Sequence, residues 1–216
     1  MLHRATPESP RMFEREWLDV FSRTHPATVP ILFVPAAVVL FALSVFRAKL
    51  SVGSSFGLAV AGFALWTLCE YWLHRLFFHW KPNKPWGERL HFFVHGVHHR
   101  WPRDKYRLVM PPAVSVSLFF VFLGVFVVLL GDRFAWAVHS GFVAGYMSYD
   151  MTHFYVHHFK PRTRYGKSLR RHHFLHHFKD DSRHFGVSSA LWDLVFGTTI
   201  GKPEAGRSRA PGYLES

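Results

Sequence analysis

The sequence predicts an all-α integral membrane protein with four transmembrane helices arranged as two hairpins. Four long stretches lack Asp, Glu, Lys and Arg, two of the connections between them are only two or three residues long, and most basic residues fall on one side of the resulting topology. A helix needs about 20 apolar residues to cross a bilayer. The uncharged stretches are residues 24–46, 50–69, 108–131 and 134–149.

Residues 1–23 precede the first of these stretches and form a separate N-terminal segment. Charged residues such as Glu8 and Glu14 come before any apolar run, so we expect no signal peptide there. Apolar residues recur at helical spacing, at Phe13, Trp17, Val20 and Phe21. This pattern is typical of a helix lying in the membrane interface, and equally of an ordinary packed amphipathic turn.

The short connections determine how the four spans are arranged. Residues 47–49 join the first two spans and residues 132–133 join the last two. Connections this short require antiparallel neighbours, so both hairpin tips lie on the same side of the membrane. The fourth span is short, and we expect it to leave the membrane early, just before the histidines that follow it.

The distribution of basic residues predicts the orientation. The formal net charge is +12, yet only Arg47, Lys49 and Arg133 lie at the hairpin tips, which leaves 23 of the 26 Lys and Arg residues on the other side. The positive-inside rule places that side in the cytoplasm, at the inner membrane of a bacterium or the endoplasmic reticulum of a eukaryote. Since the basic excess is explained by topology, we expect no nucleic-acid partner.

The histidines form four clusters. Fourteen of the 17 lie between His74 and His177, in the patterns HxxxxH, HxxHH, HxxxHH and HxxHH. Residues three or four apart share a helix face, so His95, His98 and His99 are expected to converge, as are His173, His176 and His177, and His153 with His157. His74 and His79 are five apart, roughly 140° around a helix, and can meet only if the helix loosens or the site lies across its end.

Ten of these histidines are candidate metal ligands. The topology brings all four clusters to one level near the inner membrane surface, where polar groups are costly unless they have a function. Imidazole suits iron, zinc, copper and nickel, and ten ligands are too many for one ion. We therefore expect two ions with five ligands each. The candidates are His74, His79, His95, His98, His99, His153, His157, His173, His176 and His177.

The remaining histidines are assigned by their spacing. His91, His139 and His184 have no partner at ligand spacing, so we interpret them as structural residues. His158 and His172 adjoin candidate ligands but point about 100° away along a helix, which favours positions beside the ligands rather than among them.

Three carboxylates lie near the clusters in sequence: Glu70, Asp150 and Asp193. A metal-bound histidine usually donates its second N–H to a carboxylate or carbonyl. Asp150 precedes His153 by three residues and is the candidate acceptor. Asp193 fits such a role or that of a charge on a helix surface. Cys69 is the only cysteine, which excludes a cysteine metal site.

The order of the histidine motifs resembles that of the fatty acid hydroxylase superfamily, which includes sterol desaturases, carotenoid hydroxylases and sphingolipid fatty acid hydroxylases. The segments HGVHHRWPRDKYRLVMPP from His95, YDMTHFYVHH from Tyr149, HHFLHHF from His172 and FGVSSALWDLVFGT from Phe185 are similar to the catalytic region of fatty acid 2-hydroxylases. This resemblance extends from about residue 70 to 200.

The resemblance implies a four-helix membrane stalk under a cytosolic helical cap that carries the di-metal site. The ten candidate histidines match the family's metal-ligand positions, and Tyr149 and Asp150 match a Tyr-Asp pair at the site, which makes them the candidate catalytic residues. The implied catalytic domain spans residues 24–202, and residues 203–216 form a C-terminal tail.

The implied reaction uses O2 and two electrons to 2-hydroxylate long acyl chains of fatty acids or sphingolipid-type lipids. Iron is the expected metal in the active enzyme, and zinc can replace it in a purified sample because it binds the same nitrogen ligands. Many eukaryotic members carry a fused cytochrome b5 domain. The first 23 residues are too few for one, so we expect a separate electron donor such as cytochrome b5 or a ferredoxin with its reductase.

Two other functions fit parts of the pattern. Within the superfamily, the substrate could instead be a sterol or a carotenoid. Outside it, the histidines could belong to a membrane metal transporter or a metal sensor. A transporter needs ligating residues along the interior of its spans, whereas these spans contain few polar groups and the histidines stop at one face.

Overall fold

The computed structural model describes residues 6–7 and 9–201, and the regular secondary structure of these residues is helical. Within these limits the helices are α1 (Glu16–Phe21), α2 (Thr28–Phe46), α3 (Val52–Trp72), α4 (Pro85–His91), α5 (Val97–Arg100), α6 (Pro112–His158), α7 (Arg164–Phe178) and α8 (Leu191–Val195). Two π-helical turns, Leu73–Phe78 and Phe92–Gly96, follow α3 and α4. The predicted tail, residues 203–216, lies outside the described residues.

Three helices are long and apolar enough to cross a membrane: Thr28–Phe46, Val52–Phe78 and Pro112–His158. The first two correspond to the first predicted hairpin. The third has 47 residues and takes the place of the third and fourth predicted spans. The candidate membrane-spanning helices in the described part of the chain are therefore three rather than four.

The long helix α6 reverses direction at Gly131. The backbone there leaves the helical region, with φ of 72° and ψ of 163°. Rings from its two halves then meet, since the ring centroids of Phe122 and Phe142 are 4.8 Å apart and those of Phe119 and His139 are 4.7 Å apart. In a straight helix residues 20 apart would be separated by roughly 30 Å. The two halves of α6 are therefore antiparallel, as predicted for this pair of segments.

The two tips lie together, because Arg47 and Asp132 form an ion pair of 3.6 Å. Below the tips, α3 and the second half of α6 pack closely. A Cβ atom on Gly62 would lie 1.9 Å from the carbonyl oxygen of Val138, and one on Gly141 would lie 1.7 Å from that of Ala59. Glycine allows this approach of two backbones, which is a common way for membrane helices to pack.

The N-terminal segment is attached to the loop that precedes α6. Asp19 is buried and binds Arg107 at 2.8 Å and Arg23 at 3.1 Å. Phe13 lies before α1 rather than in it, and its ring stacks on Phe93 at 5.1 Å. Trp17 remains exposed on the short helix. The segment thus has a packed polar face and an exposed aromatic one, which combines features of both predicted alternatives.

Candidate metal centre

The ten candidate histidines come together in two groups of five. Group A consists of His74, His79, His95, His99 and His176, and group B of His98, His153, His157, His173 and His177. Within each group, one ring nitrogen from every histidine lies within 4.8 Å of all the others. The two groups adjoin, since the rings of His99 and His177 stack at 4.1 Å. The division into two sets of five agrees with the prediction.

The distances between the Nε2 atoms fit ligands around a common ion. They are 3.0 Å for His74 and His95, 3.0 Å for His95 and His99, and 3.3 Å for His74 and His79. In group B they range from 2.8 to 3.0 Å. Neighbouring ligands of an octahedral ion with bonds of about 2.1 Å lie ~3.0 Å apart. Several neutral imidazoles whose Nε2 atoms converge are better explained as ligands of one cation than as hydrogen-bond partners of one another.

Each HxxHH motif is divided between the two groups. His95 and His99 belong to group A while His98 belongs to group B. On α7 the arrangement is reversed, because His173 and His177 belong to group B and His176 to group A. The prediction that each HxxHH motif converges as a unit was wrong, whereas His153 and His157 converge in group B as predicted. Residues i and i+4 are only about 40° apart on a helix, whereas i+3 and i+4 are about 100° apart, so adjacent histidines face different centres.

The π-helical turn explains how His74 and His79 meet. Residues 73–78 form i to i+5 hydrogen bonds, and the amide of His79 bonds to the carbonyl of His74 at 3.3 Å. The wider turn brings residues five apart onto a shared face, and π turns are frequent at functional sites. The predicted requirement that the helix loosen here is met. A second π turn directly precedes α5, which carries His98 and His99.

The environment keeps the imidazoles neutral. Burial and repulsion by His176 together lower the pKa of His99 to about 3, and burial lowers that of His176 to about 4. Burial and neighbouring imidazoles also hold the pKa values of His95, His98 and His173 well below the usual value. Metal binding requires neutral histidine, so these groups are ready to bind an ion at pH 7.

The loop of residues 183–189 holds two ligands of group A through its carbonyls. His74 Nδ1 donates a hydrogen bond to the carbonyl of Phe185 at 2.5 Å, and His176 Nδ1 donates to that of Arg183 at 2.7 Å. Sequence reasoning missed this loop, because a backbone carbonyl can accept a hydrogen bond whatever the residue type. The buried carboxylates that anchor it, Glu70 and Asp193, were the available signal.

Asp193 is not a charge on a helix surface. It is fully buried and accepts hydrogen bonds from His172 Nε2 at 2.9 Å, the Gly186 amide at 2.7 Å and the Thr198 hydroxyl at 2.7 Å. Burial raises the pKa of Asp193, but these bonds and that from the Phe185 amide outweigh it and leave the pKa below its usual value. His172, predicted to lie beside the ligands, therefore contacts the carboxylate that anchors the loop.

Asp150 does not bind a candidate ligand. Its Oδ2 accepts from the amide of Met110 at 3.4 Å, and His153 Nδ1 has no hydrogen-bond partner within the described chain. The predicted bond between Asp150 and His153 was wrong, because the Asp150 carboxylate faces the Met110 amide rather than the His153 ring. Tyr149 is buried, with its ring centroid 5.8 Å from that of His153.

The histidines interpreted as structural lie outside both groups. His139 is buried in α6 among phenylalanine rings, 14 residues before His153. His184 bonds through Nδ1 to the carbonyl of His172 and accepts from the amide of Ile200. His91 approaches His79 only to a ring distance of 6.3 Å, and His158 packs on Phe154.

Comparisons with known proteins identify the family of this chain. The family model for fatty acid hydroxylase matches residues 59–198. The dihydroceramide fatty acyl 2-hydroxylase FAH1 of Arabidopsis thaliana is 37% identical over 198 residues, which cover 90% of this chain and 81% of the relative. The fatty acid 2-hydroxylase of Rattus norvegicus is 35% identical, with 92% of this chain and 59% of the relative covered.

A yeast protein and a solved structure are also similar to this chain. The ceramide very long chain fatty acid hydroxylase SCS7 of Saccharomyces cerevisiae is 38% identical over 196 residues, covering 89% of this chain and 50% of the relative. A structure described as full-length scs7p with only the hydroxylase domain visible superposes with a TM-score of 0.84 at 35% identity, covering 96% of this chain and 79% of that one. The chain therefore belongs to the fatty acid hydroxylase family.

Proposed function

We propose that this enzyme adds a hydroxyl group to C2 of a long acyl chain carried by a fatty acid or a sphingolipid-type lipid. One observation carries the proposal: ten imidazoles converge in two adjoining groups of five in a chain of the fatty acid hydroxylase family. Two of the relatives named above are a dihydroceramide fatty acyl 2-hydroxylase and a fatty acid 2-hydroxylase. The position of hydroxylation and the substrate class are carried over from those relatives.

Groups A and B would hold one metal ion each, with all ten histidines as ligands. The donor set fits, since every ligand is an imidazole and the nitrogen atoms lie at the spacing of neighbouring ligands on one ion. Two iron ions would supply the redox chemistry that activates O2 in the active enzyme. Zinc fits the same nitrogens and can occupy the groups after purification, without redox activity.

The acyl chain would reach the site from within the bilayer. An apolar cavity between the helices is lined by Phe33, Trp66, Leu73, Met110 and Phe142, among others. Leu73 directly precedes His74, so the cavity approaches group A from the membrane side. Tyr149 and Asp150 lie between this cavity and group B. We propose that they border C2 of the bound acyl chain, the carbon that is hydroxylated. The cavity is small, about 30 Å³, so an acyl chain would have to widen it on entering.

The reversal at Gly131 supports four transmembrane spans, with α6 contributing two. Residues 24–202 would form the catalytic domain, in which the cytoplasmic segments 71–107 and 159–201 cap the spans. Residues 1–23 would form the interfacial segment and residues 203–216 the tail. The excess of basic residues on this side of the spans supports a cytoplasmic location for the cap and the metal centre.

The reaction requires two electrons and two protons besides O2. The C2–H bond is replaced by a C2–OH bond, and the second oxygen atom leaves as water. A separate carrier such as cytochrome b5, or a ferredoxin with its reductase, would supply the electrons one at a time. The buried, neutral imidazoles would hold the ions, while the cap would exclude bulk water from the acyl chain.

The test has two parts. Lipid mass spectrometry of cells with and without the gene should show 2-hydroxy acyl chains only when the protein is expressed. Elemental analysis of the protein, purified without chelators, should give two metal ions per chain. Cells that gain a hydroxylated sterol or carotenoid but no 2-hydroxy acyl chain would overturn the substrate, and a ratio of one or zero would overturn the di-metal centre.

A further inference from the structure

The 183–189 loop distinguishes group A from group B. Its carbonyls accept the Nδ1–H bonds of His74 and His176, as described above, and so orient these two rings. The outer hydrogen bond of a metal-bound histidine fixes both the ring orientation and the tautomer that presents Nε2 to the ion. Two of the five rings in group A are fixed in this way by a single short loop.

The loop is itself held from both sides by buried carboxylates. Asp193 accepts from the amides of Phe185 and Gly186 at 2.9 and 2.7 Å, and Glu70 accepts from those of Val187 and Ser188 at 2.7 and 2.8 Å. Four successive amides therefore point at carboxylate oxygens. Charge-assisted bonds of this kind are about twice as strong as neutral ones, so the loop is held rigidly.

Glycine at position 186 allows the loop to approach its anchor. A Cβ atom there would lie 2.1 Å from the carbonyl oxygen of Ser189 and 2.9 Å from Asp193 Oδ2. Any other residue would push the loop away from Asp193. The position of the Phe185 carbonyl, and therefore of the His74 ring, depends on this contact.

Group B has no comparable support. The Nδ1 atoms of His153, His173 and His177 are buried and have no hydrogen-bond partner in the described part of the chain. Their rings are positioned by packing alone. Loss of an outer hydrogen-bond partner typically lowers metal affinity or activity ~10–100-fold, so the two groups should differ in affinity by a similar factor.

We propose that the 183–189 loop, anchored by Asp193 and Glu70, is a positioning device for group A alone, and that it makes the two metal positions unequal. Group A retains its ion firmly, and group B exchanges its ion more readily. The inference rests on the proposed di-metal centre and adds to it an order of metal release. Asp193 and Glu70 act as positioning residues, since neither touches an imidazole of the two groups in the structure.

The experiment is a chelator titration of the purified full-length protein loaded with zinc, followed by elemental analysis after removal of the chelator. The wild-type protein should release its two ions in two steps, with midpoints separated about 10-fold or more in chelator concentration. His157→Ala should move only the early step and His79→Ala only the late one, which assigns the steps to groups B and A.

Asp193→Asn should then move the late step about 10–100-fold toward lower chelator and leave the early step in place. Glu70→Gln should shift it in the same direction, and it carries the test if Asp193→Asn gives no monodisperse protein on size exclusion. Asp132→Asn at the far tip is the matched control, because it makes the same substitution at a carboxylate that does not contact the loop. Both of its release steps should have the wild-type midpoints.

Three results would overturn the inference while leaving the di-metal centre intact: release of both wild-type ions in one step, an equal shift of both steps in Asp193→Asn, or no shift in either anchor variant. Binding of fewer than two ions by the loaded wild-type protein would instead refute the proposed di-metal function. The two failures are therefore distinguishable.

Discussion

Replacement of Gly141 by alanine should damage the metal centre from a distance. The new Cβ atom would lie 1.7 Å from the carbonyl oxygen of Ala59. Ordinary contact requires about 3.5 Å, so α3 and the second half of α6 must separate by roughly 1.5–2 Å. Overpacking of this kind typically costs ~1–3 kcal/mol. For a chain of this size each kcal/mol lowers the melting temperature by about 2–4 °C.

The displacement reaches the histidines because the same two helices carry them. His74 and His79 follow α3, while His153 and His157 lie at the end of α6. Metal–ligand distances tolerate only about ±0.2 Å, and a misplacement of 1 Å at a reacting centre can cost ~100-fold in rate. We therefore expect 2-hydroxy lipid formation to fall about 100-fold. The assays are thermal unfolding in detergent and lipid mass spectrometry of expressing cells.

Gly124 supplies the control, because a Cβ atom there has no neighbouring heavy atom within 4 Å. Gly124→Ala makes the same substitution in the same helix and should leave both stability and activity near wild type. If Gly141→Ala matched Gly124→Ala in both assays, the close approach of the two backbones would not control the geometry of the site.

Three further predictions address ligation, pH and topology. His98→Ala should abolish 2-hydroxy lipid formation and lower metal content, whereas His139→Ala, outside both groups, should keep its two metal ions; equal loss of metal in a folded His139 variant would invalidate the assignment by spacing. The metal-free protein should lose stability as the pH falls from about 6.5 toward 4, because unfolded imidazoles take up protons that the buried ones, with lowered pKa values, do not. A melting temperature that stays constant over this range would contradict the burial of neutral imidazoles. In a Cys69→Ser background, Ala48→Cys should be labelled from outside intact cells and Ser168→Cys should not; the reverse pattern would invert the orientation.

The sequence was sufficient to predict the helical class, the apolar segments that form the candidate spans, and the ten histidines that converge in two groups. These depend on hydropathy and on i, i+4 spacing, both of which act locally. The antiparallel halves of α6 also followed from local features, because residues 132–133 lie between two uncharged stretches. The structure places the reversal at Gly131, where the backbone adopts a positive φ that glycine accommodates without strain.

The partners of the histidines could not be predicted in the same way. The acceptor for His74 is a carbonyl 111 positions away, and nothing in the identity of Phe185 indicates it. Asp150 was assigned to His153 by sequence distance alone, yet the direction of its side chain takes it to Met110. The division of each HxxHH motif between two centres likewise depends on which helices lie on either side, which is a property of the assembled fold.

The divided motifs also determine when the centre can form during synthesis. Group A takes its last ligand from His176 and group B takes two from His173 and His177, so neither group is complete until α7 has left the ribosome. The 183–189 loop emerges later still. A nascent chain therefore inserts its spans with partial sets of imidazoles. Stable loading of either ion has to follow docking of α7, and truncation before residue 173 would remove ligands from both centres at once.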